Sequence, residues 1–322
     1  MIKNCWAPLA MVALIATSQA QLRMSETCVN PPGSPDVGRE YVEIRSSQPN
    51  YDLTNVWVIG IDGEGEFNPG NIHWAVPLRD DNGNWLSTGS NGLFLLRDSA
   101  VMLLPEASPD TTVLVANDGF TLAGMGNDSY TVAIVCNFTG QVGDDVDTND
   151  DGVIDNPLWD RAFDAIGWLD GDNTMPGVTD RVYATALNGI EVPESARQRA
   201  DGSIWEPDGL YWFGGDNWIA CDTGRASGAG DFGPYSFNAT NRVVNGTLPI
   251  GAAPNPGNDN LGMKAPVAGD VNFDGCVDDV DLAIVLESFG MSGCKLPADF
   301  NGDGVVDDSD LALTLANFGA GC

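Results

Sequence analysis

Hydrophobic and polar positions follow two different rhythms along this chain. From about residue 40 to 170 the apolar residues come in short runs or in alternation. "YVEIR" (41–45) alternates and "LTNVWVIGI" (53–61) is largely apolar. "LFLL" (93–96), "VMLL" (101–104), "TVLVA" (112–116) and "YTVAIVC" (130–136) follow, divided by Gly, Asn, Asp and Pro clusters. "FDAIGW" (163–168) reads as one more strand, and "NIHWAVP" alternates around His73. About seven short strands with turn signals between them predict an antiparallel β-sandwich. Near the C-terminus the period changes. Leu282, Val285, Leu286 and Phe289, then Leu311, Thr314, Leu315 and Phe318, recur at i, i+3, i+4, i+7. That spacing predicts two amphipathic helices packed on each other in a small all-α module.

Each predicted helix follows an acidic loop with a fixed spacing. In "DVNFDGCVDDVDL" the oxygen-bearing residues Asp270, Asn272, Asp274, Asp278 and Asp281 stand at positions 1, 3, 5, 9 and 12, with Gly275 at position 6. "DFNGDGVVDDSDL" repeats this with Asp299, Asn301, Asp303, Gly304, Asp307 and Asp310. At position 7 the backbone carbonyls of Cys276 and Val305 add one oxygen to each set. This is the ligand rhythm of a loop that wraps Ca2+, a hard cation whose charge removes the repulsion among the carboxylates. A solvated acidic run would need neither the paired glycine nor the period. A third loop, "DVDTNDDGVIDNPLWD" (145–160), puts Asp147, Asn149, Asp151, Gly152, Val153 and Asp155 in the same register. Its position 12 is Leu158, so Asp145 or Asp160 would have to close it. The alternative is an Asx-rich turn whose side chains bond their own backbone.

Residues 269–322 resemble a type I dockerin, the calcium-dependent module of two loop-helix repeats that binds cohesin domains. The likeness rests on D-x-N-x-D-G-x-V-D-x-x-D-L, present twice. It implies a cohesin-like or other cell-surface protein partner, contacted through loop positions 10 and 11: Asp279, Val280, Asp308 and Ser309. These are not the hydroxyl pairs of cellulosomal dockerins. The terminal "GAGC" is similar to a subset of dockerin-like tails, ending in Gly-Cys, that tether secreted bacterial proteins. The stretch 38–170 resembles the lamin-tail domain, through "EYVEIRSSQPNYDLTNVWVIGI" and "FDAIGW". That resemblance implies an immunoglobulin-like sandwich.

"MIKNCWAPLAMVALIATSQA" (1–20) has Lys3 in its n-region, an apolar stretch and small residues before Gln21, the pattern of a signal peptide. No later stretch approaches the roughly 18 apolar residues of a membrane span. The reading is therefore a secreted protein, extracellular or attached to the cell surface. Domains are expected at 21–245 (sandwich, irregular toward its end), 246–268 (a Gly/Pro/Asn linker, semi-rigid) and 269–322. Six cysteines follow the leader, an even number suited to an oxidising compartment. Cys294 with Cys322, at the ends of the two repeats, is the expected disulfide; a Cys322 joined to another molecule is the rival. The net charge of −32 repels nucleic acid and anionic lipid, and bound calcium would neutralise part of it.

Catalytic patterns are sparse. His73 is the one histidine, and its alternating context favours a packed or surface role. There is no G-x-S-x-G elbow and no phosphate loop. "IWEPDGLYWFGGDNWIACD" (204–222) concentrates aromatics, and Trp205, Tyr211, Trp212 and Trp218 suit either a platform for stacking on sugar rings or packing at the sandwich edge. The expectation is a non-catalytic, calcium-binding protein whose tail anchors it and whose sandwich binds a ligand, such as a polysaccharide, or builds a structure. The alternative is a dockerin-bearing polysaccharide-active enzyme of the glycoside hydrolase class, or its carbohydrate-binding accessory, since a glycosidase needs only two carboxylates.

Overall fold

The structure, a computed structural model, describes residues 22–29, 40–65, 69–99, 106–116, 125, 128–170, 179–193, 209–214, 217–221, 235–238, 257 and 264–322. The leader, "VMLL" and most of the linker lie outside these residues. The chain is mainly β, in two sheets. The larger orders its strands β12 (Tyr235–Asn238), β11 (Asn217–Cys221), β10 (Gly209–Gly214), β1 (Leu22–Cys28), β2 (Tyr41–Ser46), β5 (Leu93–Arg97) and β6 (Thr112–Val115). The smaller runs β4 (Ile72–Pro77), β3 (Val56–Asp62), β7 (Tyr130–Cys136), β8 (Arg161–Trp168) and β9 (Ile190–Glu191).

Most neighbours are antiparallel, but β5–β6 and β8–β9 are parallel, which corrects the wholly antiparallel expectation. Alternation predicts which face a strand buries and says nothing about its direction. The two sheets share one core. Val42, Ile44, Phe94 and Leu96 from one meet Val58, Trp74, Val132, Ile134, Phe163 and Trp168 from the other, as in a β-sandwich. Burying each of these side chains contributes about 1.5–3 kcal/mol. Hydrophobic alternation does not signal β1, because its buried Ser25, Glu26 and Thr27 are polar. They are paired instead: Ser25 Oγ donates to Glu43 (2.6 Å), Thr27 Oγ1 to the Tyr41 carbonyl (3.1 Å), and Glu26 accepts from the Tyr41 hydroxyl.

The tail carries α1 (Asp279–Ser288) and α2 (Asp308–Ala316). Each opens on a reciprocal capping box, Asp278 with Asp281 and Asp307 with Asp310, and places acidic residues where the helix dipole favours them. The helices touch, but their buried sector differs from the predicted stripe. Ile284, Val285, Leu311 and Leu313 pack with the loop residues Val271, Phe300 and Val306, while Leu286, Phe289, Leu315 and Phe318 are 46–54% exposed. The loops cover one side of each helix and so decide which side goes inward.

The cysteine pairing is also corrected. Cys276 bonds Cys322, and Cys294 bonds Cys136 at the end of β7, so the expected Cys294–Cys322 bridge is absent. Around the Cys136–Cys294 bridge, Lys295 Nζ meets Asp52 at 2.6 Å, Arg161 donates to the Lys295 carbonyl (2.7 Å), and Gln48 Nε2 donates to the Phe300 carbonyl (3.0 Å). Arg23 lies over the Phe273 ring at 5.7 Å. Gly257, within the segment read as linker, donates to the buried Glu43 carboxylate (2.6 Å) and accepts from Thr111 Oγ1 (2.7 Å). The tail is thus fastened to the sandwich covalently and by polar contacts. No helix among the described residues is long and apolar enough to cross a membrane.

Candidate metal-binding loops

The two tail loops share one hydrogen-bond lattice, residue for residue. The position 1 carboxylate accepts from the position 6 glycine N–H: Gly275 to Asp270 at 2.8 Å, Gly304 to Asp299 at 2.9 Å. Asn272 and Asn301 accept from the backbone N–H of Asp274 and Asp303, and these aspartates accept from the N–H at position 7. The position 12 carboxylate folds back from the first helical turn. Asp281 accepts from Val271 and Asp278, and Asp310 from Phe300 and Asp307, at 2.6–2.9 Å. Both closing aspartates are fully buried. Positions 4 and 6 are left-handed in both loops, at φ 60 and 80 for Phe273 and Gly275 and 73 and 88 for Gly302 and Gly304. A side chain on Gly275 would also clash with Lys264.

This lattice gathers like charges away from water. Burial pushes the Asp270 carboxyl up to about 7, with Asp281 and Asp274 adding to it against the Gly275 N–H. Asp281 and Asp299 are raised as well, again first by burial. Asp299 Oδ1 accepts from the Gly302 N–H (2.8 Å), and at the matching position of the first loop the Phe273 N–H acts on the Asp270 carboxylate, which is itself buried. An all-oxygen set of this kind fits a hard divalent ion. Asp270, Asn272, Asp274, Asp278 and Asp281, with the Cys276 carbonyl, could hold one; Asp299, Asn301, Asp303, Asp307 and Asp310, with the Val305 carbonyl, could hold another.

The third loop differs at its closing group. Asp147 is fully buried and accepts from Gly152 N–H (2.8 Å), and Asp150 and Gly152 are left-handed at φ 57 and 87, as in the tail. Leu158 at position 12 packs against an apolar cluster, and Asp160 is held by Asn137 Nδ2 (2.7 Å). Tyr183 Oη donates to Asp147 Oδ2 (2.8 Å), and the Arg181 guanidinium donates to the Asp150 carbonyl (2.9 Å). Asp155 accepts from Thr148, and Asp147, Asn149 and Asp151 accept from backbone N–H groups as in an Asx-rich turn, with no carboxylate at position 12.

The remaining expected positions are dispersed. Asp279, Val280, Asp308 and Ser309 are exposed at the first turns of α1 and α2. Backbone register pairs Trp212 with Trp218 across β10 and β11, and Tyr211 with Ile219, while Trp205 lies outside the described residues. His73 sits in β4 with its ring 5.7 Å from that of Tyr130. One cluster has no signal in the sequence: carboxylate oxygens of Glu64, Asp128 and Asp170 lie within 4.8 Å of one another, with Ser129 bonded to Glu64 and Asp170 between them. Three separate connections converge there, which no spacing rule could reveal. No protein-family model, curated protein or solved structure matches this chain.

Proposed function

We propose that this is an exported, calcium-binding, non-catalytic protein whose dockerin-like tail anchors or assembles it and whose immunoglobulin-like sandwich binds a ligand or serves structurally. The observation that carries the reading is the repeated tail loop: in both copies the position 6 glycine N–H is donated to the position 1 carboxylate, and the position 12 carboxylate lies buried at the first turn of the helix that follows. Calcium is the ion such a set suits, and extracellular concentrations allow weaker sites than cytosolic sensors need. Disulfides that fasten the tail are in keeping with an oxidising compartment. The sandwich positions the tail, and the exposed loop positions Asp279, Val280, Asp308 and Ser309 are the surface offered to a cell-surface partner.

Calorimetric titration of the leaderless chain with calcium tests this. Two binding events are expected, one lost in Asp270→Asn and the other in Asp299→Asn. Absence of heat in the intact chain, or binding untouched by both substitutions, would remove the calcium reading.

A further inference from the structure

The seam between sandwich and tail encloses a cavity of about 410 Å³. That lies within the roughly 300–1,000 Å³ of ordinary small-ligand sites. Its apolar wall is Phe163 of β8, Ile284 of α1, and Met291 and Leu296 beyond it. The polar contribution comes from Arg161, at the first position of β8. Arg161 is part-buried, with its guanidinium 5.3 Å from the Phe163 ring centre and one nitrogen donating to the Lys295 carbonyl. Those contacts hold the fork in place and leave most of its donors unused.

The charge on that fork is the anomaly. The chain has 46 acidic residues against 14 basic ones, yet Arg161 makes no ion pair among the described residues. A guanidinium withdrawn from water without an anion carries a desolvation cost, and burial holds it below the usual arginine range. The Ser288 hydroxyl, 5% exposed at the end of α1, borders the same cavity without a bonded partner among the described residues. An arginine fork beside a hydroxyl is a receptor for a carboxylate, and the apolar wall is a receptor for its hydrocarbon chain. The exposed Glu287 at the rim adds one negative charge, which disfavours a ligand carrying a second.

We infer that this cavity binds an amphipathic organic monocarboxylate, its carboxylate on Arg161 and Ser288 and its chain against Phe163, Ile284, Met291 and Leu296. Because both walls of the seam contribute, the ligand would bridge sandwich and tail.

The test uses the full leaderless chain with its disulfides intact, in calcium, titrated calorimetrically with sodium octanoate, 1-octanol and octanedioate. Octanoate should saturate one site, with octanol and octanedioate each weaker by at least about tenfold, the scale of one charge-assisted contact. Arg161→Gln should lose octanoate binding by a similar factor while near-ultraviolet circular dichroism is unchanged, and Glu287→Gln should tighten it. Equal binding of octanoate and octanol, or no saturation at millimolar octanoate, would overturn the inference without recourse to any variant. Full octanoate affinity in a folded Arg161→Gln chain would overturn it as well.

Discussion

Loops 270–281 and 299–310 have the same spacing of oxygen-bearing residues and, apart from the Gly302–Asp299 bond, the same internal hydrogen bonds, yet they are supported differently. The chain leaving α1 clasps the second loop: Gly290 donates to the Val306 carbonyl, Val306 to Met291, and Gly293 to Gly304, at 2.8–3.0 Å. The chain leaving α2 clasps the first: Gly319 donates to Val277 and Val277 to Ala320, at 2.8 and 3.0 Å. Each helix therefore closes the other helix's loop. The second clasp is mid-chain and is itself fastened to the sandwich through Cys294 and Lys295. The first clasp is made by Gly319 and Ala320 and has no tie of its own to the sandwich. The Cys276–Cys322 bridge fastens it covalently to its own loop, at position 7. Equal chemistry in two loops thus rests on unequal mechanical support.

The largest way to break the comparison is to cut the fastening. Cys136→Ser with Cys294→Ser opens a link between residues 158 apart, worth about 5 kcal/mol on the chain-entropy scale. The second loop should become the more labile one, visible as proteolysis near Lys295 while the sandwich stays protected. Next comes Cys322→Ser with its partner Cys276→Ser, across 46 residues and about 4 kcal/mol on the same scale. Two-site calcium calorimetry should then show the first site weakened and the second retained; equal weakening of both would end the asymmetry. Gly302→Ala should cost the second loop about 1 kcal/mol, since φ is 73 there, and the change should be read as a lower midpoint in denaturant.

The smallest effects are in pH. Asp52 feels burial first, but Lys295 and Thr54 outweigh it and hold its carboxyl below the usual range. Its pairing with Lys295 stabilises the native state above the unfolded carboxylate pKa and is lost as pH falls through the lower folded value. The effect is about 0.5–1 kcal/mol, because Asp52 is half-exposed. Asp164 has the opposite sign. Burial raises it to about 6 against Arg23, the residue that covers Phe273 of the first loop. Its contribution is full below about 4 and declines as pH rises through 6. Thermal unfolding from pH 3 to 7 should lose the first slope in Asp52→Asn and the second in Asp164→Asn.

How much was legible follows from the range of each interaction. The capping aspartates, the glycine at position 6 and the oxygen spacing act within twelve residues, so the loop-helix units could be read directly from "DVNFDGCVDDVDL" and "DFNGDGVVDDSDL". Strand alternation located β2, β3, β4, β5, β6, β7 and β8. It missed β1, whose polar residues are satisfied only by Tyr41 and Glu43 on the neighbouring strand. The third loop shows the limit most plainly: its first nine positions repeat the tail pattern, but Tyr183 and Arg181, about thirty residues away, bond Asp147 and the Asp150 carbonyl.

By itself, then, the sequence determined the local units: short strands, capped helices and two acidic loops with the same oxygen spacing, all products of contacts a few residues apart. Tertiary structure alone decided the parallel edges, the joining of Cys294 to Cys136 and of Cys276 to Cys322, the inward faces of α1 and α2, the Glu64–Asp128–Asp170 cluster and the cavity beside Arg161. Each of these depends on which distant surfaces meet. Burial free energy rewards many such meetings about equally until the whole chain is packed.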